Sequence, residues 1–208
     1  MTTEVSRPAR RPVPERPTRI LVADDEFLVA TELTAWLVDG GYTTVGPVSS
    51  GQEAIRLATL ASPDLALLDI RMPNGDGLSA AKTLMRDLSI PVIILTAYGD
   101  AENVRVAEEA GVFAYLIKPA EPEQLKAAIE IAWGRYKRFL EEQAERVRLS
   151  RRLEEREVVE QAKWVLVSRV GMDEPKALRE MQQRARRTRE PLLVVAERIL
   201  KGEDSLLD

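Results

Sequence analysis

Four short apolar runs each stop at a residue with chemistry of its own. Arg19-Ile20-Leu21-Val22-Ala23 runs into Asp24-Asp25, Leu65-Ala66-Leu67-Leu68 into Asp69, Pro91-Val92-Ile93-Ile94-Leu95 into Thr96, and Phe113-Ala114-Tyr115-Leu116-Ile117 into Lys118. Continuous apolar runs of this length read as strands of a parallel sheet buried on both faces. Parallel strands end together, so these residues converge on one edge of one sheet, where open α/β sheets bind ligands. Three carboxylates, a hydroxyl and an ammonium then become neighbours. Acids crowded this closely repel one another unless a hard cation sits among them. The pattern therefore predicts a Mg²⁺ site with one carboxylate left to react.

Composition narrows the chemistry. The 208 residues contain no cysteine, so there is no disulfide framework and no thiolate metal site, which fits a reducing cytoplasm. They contain no histidine either. That removes Ser-His-Asp and Cys-His catalysis, most zinc chemistry and any role as a histidine phosphodonor. No apolar stretch approaches the length of a membrane span and no signal-peptide core is present, so the chain reads as soluble and cytoplasmic. Residues 1–18 interleave Arg7, Arg10, Arg11 and Arg16 with Pro8, Pro12, Pro14 and Pro17. This composition reads as a disordered, solvated arm.

From Arg19 to about Ala132 strand and helix patterns alternate. A helix from Glu26 to Asp39 carries Leu28, Val29, Leu33, Trp36 and Leu37 on one face and stops at Gly40-Gly41. Tyr42–Val48 reads as an edge strand, because Pro47 cannot donate to a ladder. Ser50 caps a helix over Gln52–Leu60; Asn74-Gly75-Asp76-Gly77 is a tight loop leading to a helix ending near Leu88; another helix covers Ala101–Ala110. Five strands and five helices in this order predict an α/β, flavodoxin-like, doubly wound five-stranded parallel sheet. Beyond Pro122 the chain becomes one long helix, or two joined nearly end to end, reaching about Val167. Trp133, Tyr136, Leu140, Ala144 and Val147 form a stripe that slips to Leu149 and Leu153. That spacing fits a short coiled coil and a charged solvated connector equally well. Gly171, Asp173 and Pro175 then begin a second helix to about Arg187, and Pro191–Leu200 makes a third. Their apolar faces, with Leu153, Val158, Val159, Ala162, Val165 and Leu166 of the long helix, predict a small three-helix bundle. The expected divisions are a disordered arm at 1–18, the α/β domain at 19–134, a helical linker at 135–152, the bundle at 153–202 and a tail at 203–208.

Residues 19–132, with Asp69 in Leu68-Asp69-Ile70-Arg71-Met72-Pro73, resemble the receiver domain of two-component response regulators. The resemblance implies that Asp69 accepts a phosphoryl group from the histidine of a sensor kinase. It also implies Mg²⁺ held by Asp25 and Asp69, by Asp24 through water, and by the backbone carbonyl of Arg71. The resemblance further implies that Lys118, on a cis peptide to Pro119, pairs with the phosphoryl oxygens, as do the Thr96 hydroxyl and the Ala97 amide, and that Thr96 and Tyr115 form the switch pair. By the same resemblance Arg71 and Tyr98 flank the path of the attacking water, where their bulk is expected to slow hydrolysis. Such a protein is not a conventional enzyme, although it catalyses its own phosphorylation and dephosphorylation.

Residues 150–202 contain the run Arg156, Val159-Glu160-Gln161-Ala162-Lys163, Gly171-Met172, Ala177-Leu178 and Arg189. This run resembles the ANTAR domain, a family of RNA-binding transcription antiterminators. The sequence departs from the family at Trp164, where a small residue is usual, which points to packing or to a base-stacking contact. Arg184, Arg186, Arg187 and Arg189 cluster at the join between the last two helices, and Arg156 and Lys163 are candidates for the same RNA surface. The expected function is a phosphorylation-dependent antiterminator that binds hairpins in nascent transcripts and is homodimeric when active. The alternatives are a DNA-binding response regulator and a receiver whose helical output binds protein.

Overall fold

The computed structural model describes residues 14–72, 77–97 and 111–203. Five parallel strands form one sheet: β1 (Arg19–Ala23), β2 (Thr43–Val48), β3 (Leu65–Asp69), β4 (Val92–Thr96) and β5 (Ala114–Ile117), in the order β2-β1-β3-β4-β5. Successive residues of the inner strands leave on opposite faces. Leu21, Ala23, Ala66, Leu68, Val92 and Ile94 enter one core, with Ala54 and Ala58 of α2 (Gly51–Ala61) and Ala80, Ala81 and Leu84 of α3 (Gly77–Arg86). Ile20, Val22, Leu65, Leu67, Ile93 and Leu95 enter the other, against Leu33 and Leu37 of α1 (Phe27–Asp39) and Leu125, Ala128, Ile129 and Ala132 of α4 (Pro122–Val170). The doubly wound architecture follows from strands that are apolar on both sides.

Two details at the strand ends shape the site. At Gly77, the first residue of α3, a Cβ would lie 1.8 Å from the carbonyl oxygen of Asp69, so only glycine lets α3 begin there. Its amide donates to the carbonyl of Ile70 at 3.0 Å, fixing the turn after β3. On the outer side of β1 the pairing with edge strand β2 shifts register between Leu21 and Ala23, and the amide of Asp24 donates to the carbonyl of Val48 at 2.9 Å.

Several helical expectations change in detail. Leu28 is 80% exposed, because it lies about 140° around the axis from Leu33; Ala30 takes the buried place. Helix α3 stops at Arg86, two residues short of the expected end. Residues 74–76 of the expected tight loop and the expected helix over 101–110 lie outside the described residues. Residues 14–18, which composition joins to the arm, are tied to neighbours. The indole nitrogen of Trp133 and the ammonium of Lys137 donate to the carbonyl of Glu15 at 3.1 and 3.2 Å, and the amide of Thr18 donates to Asp64 at 2.8 Å.

The chain divides into two compact units, 1–140 and 141–208. One unbroken helix, α4, supplies side chains to the cores of both. Trp133 and Tyr136, the first members of the predicted stripe, are buried in the first unit, where Tyr136 meets Phe113 edge-on at 5.5 Å. Residues 141–154 are exposed throughout. In the second unit, Ala162 and Leu166 of α4 pack with Ala177 and Met181 of α5 (Glu174–Thr188) and Val195, Ala196 and Ile199 of α6 (Leu192–Lys201). Asp173 caps α5 by accepting from the amide of Lys176 at 2.7 Å. Leu153 is 68% exposed rather than part of this bundle, since it sits about 180° around α4 from Ala162. Among the described residues, no helix is long and apolar enough to cross a membrane.

Candidate functional site

The sheet delivers its strand ends as its topology requires. Asp24 follows β1, Asp69 closes β3, Thr96 closes β4 and Lys118 follows β5; Asp24, Asp69 and Thr96 are 3%, 6% and 1% exposed. Asp24, Asp25 and Asp69 each offer a carboxylate oxygen, and these oxygens lie within 4.8 Å of one another. Asp25 is the exposed member of the three.

Lys118 is the counter-ion. Its ammonium lies 2.6 Å from Asp69 Oδ2, 2.7 Å from Asp24 Oδ2 and 3.2 Å from Glu26 Oε1. The backbone amide of Lys118 donates to the carbonyl of Thr96 at 2.8 Å, and its peptide to Pro119 is cis, as the sequence resemblance implies. Burial works against the charge on Lys118, but its close contacts with the Asp24 and Asp69 carboxylates outweigh that and hold the ammonium above its ordinary range. In Asp24 the balance of causes is reversed. Its desolvation outweighs the help of Lys118 and of the Glu26 amide, which donates to Oδ1 at 3.0 Å, so its pKa is raised.

One ammonium does not neutralise three carboxylates. The geometry adds a more specific sign of a cation site: Asp24 Oδ2 is buried without a well-directed hydrogen bond, despite its charge contact with Lys118. A buried, ionised oxygen left in this way is costly. All the donors are oxygens, and two of the three acids are buried while one faces water. That set fits a hard divalent cation that keeps part of its hydration shell, as Mg²⁺ does.

The remaining receiver positions are placed as follows. The amide of Arg71 donates to Asp69 Oδ1 at 3.2 Å, which puts the Arg71 backbone beside the acid while its side chain is exposed. Ala97 is exposed just past Thr96. Tyr115 is half-buried against the core beneath α2 and α3, and it pairs with Ile94, two residues behind Thr96 on the neighbouring strand. Tyr98 lies outside the described residues. The contact of Glu26 with Lys118 and the close approach of Gly77 to Asp69 were not anticipated. A glycine opening a helix soon after a reactive acid was the available signal for the second.

In the second unit Arg156, Arg186, Arg187 and Arg189 are exposed and Arg184 is half-buried. Arg189 ends α5 in the left-handed conformation, with φ 57°. Lys163 does not stand on an open surface. Its side chain is 7% exposed and ion-paired with Glu160 and, at 2.6 Å, with Glu174, contacts that raise its pKa. Trp164 is 59% exposed rather than part of the bundle core. A further guanidinium, Arg198 of α6, pairs with Glu190 beside the arginine cluster.

Comparison with known proteins agrees with this division. The response regulator receiver domain matches residues 20–130, and the ANTAR domain matches residues 147–200. The transcriptional regulatory protein PdtaR of Mycobacterium tuberculosis is 40% identical over 185 residues, covering 89% of this chain and 90% of that protein. The transcriptional regulatory protein LiaR of Bacillus subtilis is 37% identical over 116 residues, 55% of each chain. Among solved structures, the signal receiver domain of a modulated diguanylate cyclase from Desulfovibrio desulfuricans superposes with a TM-score of 0.55 at 33% identity. That match covers 59% of this chain and 98% of the other.

Proposed function

From the premise that this chain belongs to the response regulators, with a receiver domain followed by an ANTAR domain, we propose that it is a phosphorylation-dependent antiterminator that binds RNA hairpins in nascent transcripts. The observation that carries the input half is the meeting of Asp24, Asp25, Asp69 and Lys118 at one sheet edge. Asp69 is the phosphoacceptor. One of its oxygens attacks the phosphorus on a sensor kinase's phosphohistidine. An O–P bond forms, the N–P bond breaks, and its electron pair returns to the kinase imidazole. Transfer of this kind is governed by positioning and charge neutralisation.

Asp24, Asp25, Asp69 and the Arg71 carbonyl are the groups that would hold Mg²⁺, which when bound offsets the charge on the phosphoryl oxygens. Lys118, already against Asp69, turns its ammonium to the arriving phosphoryl group. Thr96 donates its hydroxyl to a phosphoryl oxygen, as does the Ala97 amide. The shift of Thr96 leaves room for the ring of Tyr115, and the receiver surface changes with it. By their places in the sequence, two residues beyond Asp69 and Thr96, Arg71 and Tyr98 slow hydrolysis of the aspartyl phosphate. The expected homodimer brings two bundles together, so that two RNA loops are held with the avidity of linked sites. A soluble cytoplasmic location suits both the kinase and a nascent transcript.

The output half rests on the ANTAR match and on the exposed Arg186, Arg187 and Arg189, whose guanidiniums suit phosphates and unpaired bases. Arg156 and Arg184 extend the contact, whereas Lys163, tied to two carboxylates, contributes only by leaving them. Gel shifts test the reading. A tandem-hairpin RNA and duplex DNA of the same sequence are titrated with wild-type and Arg186→Ala/Arg187→Ala protein, with and without beryllofluoride and Mg²⁺. The expected result is preferential RNA binding, strengthened by the phosphoryl mimic and lost in the double variant. Equal affinity for duplex DNA, or indifference to the arginines, overturns it.

A further inference from the structure

The turn between α5 and α6 holds a carboxylate among guanidiniums. Glu190 is fixed there by its own backbone, whose amide donates to the carbonyl of Ala185 at 3.0 Å. Arg198 reaches back from α6 so that its Nη2 pairs with Glu190 Oε2, and both side chains remain about one third exposed, at 32% and 34%. Arg186, Arg187 and Arg189 stand exposed on the same turn. The side chain of Thr188, and after it Arg198 and Arg184, hold the Glu190 carboxyl below the usual range although burial opposes them. Glu190 is thus an ionised carboxylate set against Arg198, next in the chain to the exposed Arg189.

This pairing is incomplete. A guanidinium binds an oxyanion side-on through Nε and Nη2 together. Glu190 takes Nη2, whereas Arg198 Nε is buried without a hydrogen-bond partner among the described residues. The second donor of the side-on pair is thus unused by Glu190. Partly exposed pairs of this kind contribute little to stability, so exchanging one oxyanion for another costs little. An RNA phosphodiester presents two unesterified oxygens, which match the Nε–Nη2 pair of donors.

We infer that Glu190 is an internal stand-in for an RNA phosphate: in the free protein it occupies the Arg198 guanidinium, and a backbone phosphate displaces it when RNA binds. Arg198 thereby joins the arginines of the preceding helix and turn as a contact that the sequence pattern did not single out. Glu190 acts as a built-in competitor that weakens binding to any polyanion unable to place a phosphate at this point. The inference rests on the RNA-binding reading above.

The test uses the full chain and the tandem-hairpin RNA over a series of KCl concentrations. Glu190→Gln removes the competing charge and keeps the side-chain shape. It is expected to bind RNA about threefold to tenfold more tightly, with a log–log salt slope steeper by about one counterion. In the unmodified chain the Arg198 Nε–H resonance, identified by its loss in Arg198→Lys, is expected to shift when RNA is added. The resonance needs no folding of a Glu190 variant. RNA binding by wild type together with an unmoved Arg198 signal overturns the exchange alone, as does a folded Glu190→Gln variant that binds no more tightly. Absence of RNA binding by wild type overturns both this inference and the function it rests on.

Discussion

Gly77 stands where a methyl group cannot. A Cβ there would overlap the carbonyl oxygen of Asp69, and that oxygen is backbone, so neither side can move without shifting the strand end that carries the acid. Gly77→Ala is therefore expected to destabilise the receiver by about 1–3 kcal/mol, the usual cost of overpacking, and to slow phosphorylation by displacing Asp69. Urea melts and phosphorylation by a small-molecule phosphodonor read the two effects. Asp24 poses the opposite problem, since its buried carboxylate costs the free protein stability. The sign follows from linkage. A raised carboxyl pKa means that the folded state holds the proton more tightly than the unfolded chain does. Stability is thus lost as pH rises from the unfolded value near 3.8 through the folded one, and the penalty persists at pH 7. In EDTA, Asp24→Asn is expected to melt above wild type. With Mg²⁺ at about a hundred times its dissociation constant the order reverses, because wild type gains about 2.7 kcal/mol, on the order of 5–10 °C, and the variant gains much less. Scanning calorimetry in the two buffers reads the crossing. A wild-type chain unmoved by Mg²⁺ would argue against the metal site.

At the scale of elements, the strands were legible because each is a continuous apolar run and burial on both faces leaves little ambiguity. The site was legible for the same reason, since once the runs are parallel strands their last residues have nowhere to go but one edge. Helices were less so, because an apolar residue announces that it can be buried, not that the helix is turned to bury it. Leu28 and Leu153 point away from the faces that their spacing suggests, and in each case a nearby apolar residue at the right angle does the packing. The pairing of Lys163 with Glu160 and Glu174 was equally hidden, because Glu174 comes from beyond the Gly171 break. Nor could periodicity say that Trp133 and Tyr136 would be spent on the first unit rather than on a coiled coil. Their contacts are long-range: the Tyr136 hydroxyl donates to the carbonyl of Ser89, and its ring packs on Phe113. Tyr136→Phe keeps the ring and removes the hydrogen bond that its hydroxyl donates to Ser89. It is expected to cost about 1 kcal/mol in chemical denaturation of the first unit while leaving the second unit's unfolding in place.

Across the whole molecule, one helix enters two cores, and the segment between them touches neither. Leu125, Ala128, Ile129 and Ala132 bind α4 to the sheet, and Ala162 and Leu166 bind it to the bundle, while residues 141–154 are exposed on every side. Fourteen exposed helical residues contribute little packing energy, and a helix of that length is marginal by itself in water. Under the proposed function, signalling from Asp69 at the sheet edge to the turn between α5 and α6 needs that stretch to stay helical, whereas neither core needs it to fold. Ser150→Pro separates the two requirements, because proline in a helix interior costs about 3 kcal/mol locally and removes a backbone donor. The variant is expected to accept a phosphoryl group at Asp69 at the wild-type rate and to keep both unfolding transitions. Its affinity for the tandem-hairpin RNA is expected to stop responding to beryllofluoride and Mg²⁺. A variant whose RNA affinity still responds as wild type does would mean that the signal passes without the continuous helix.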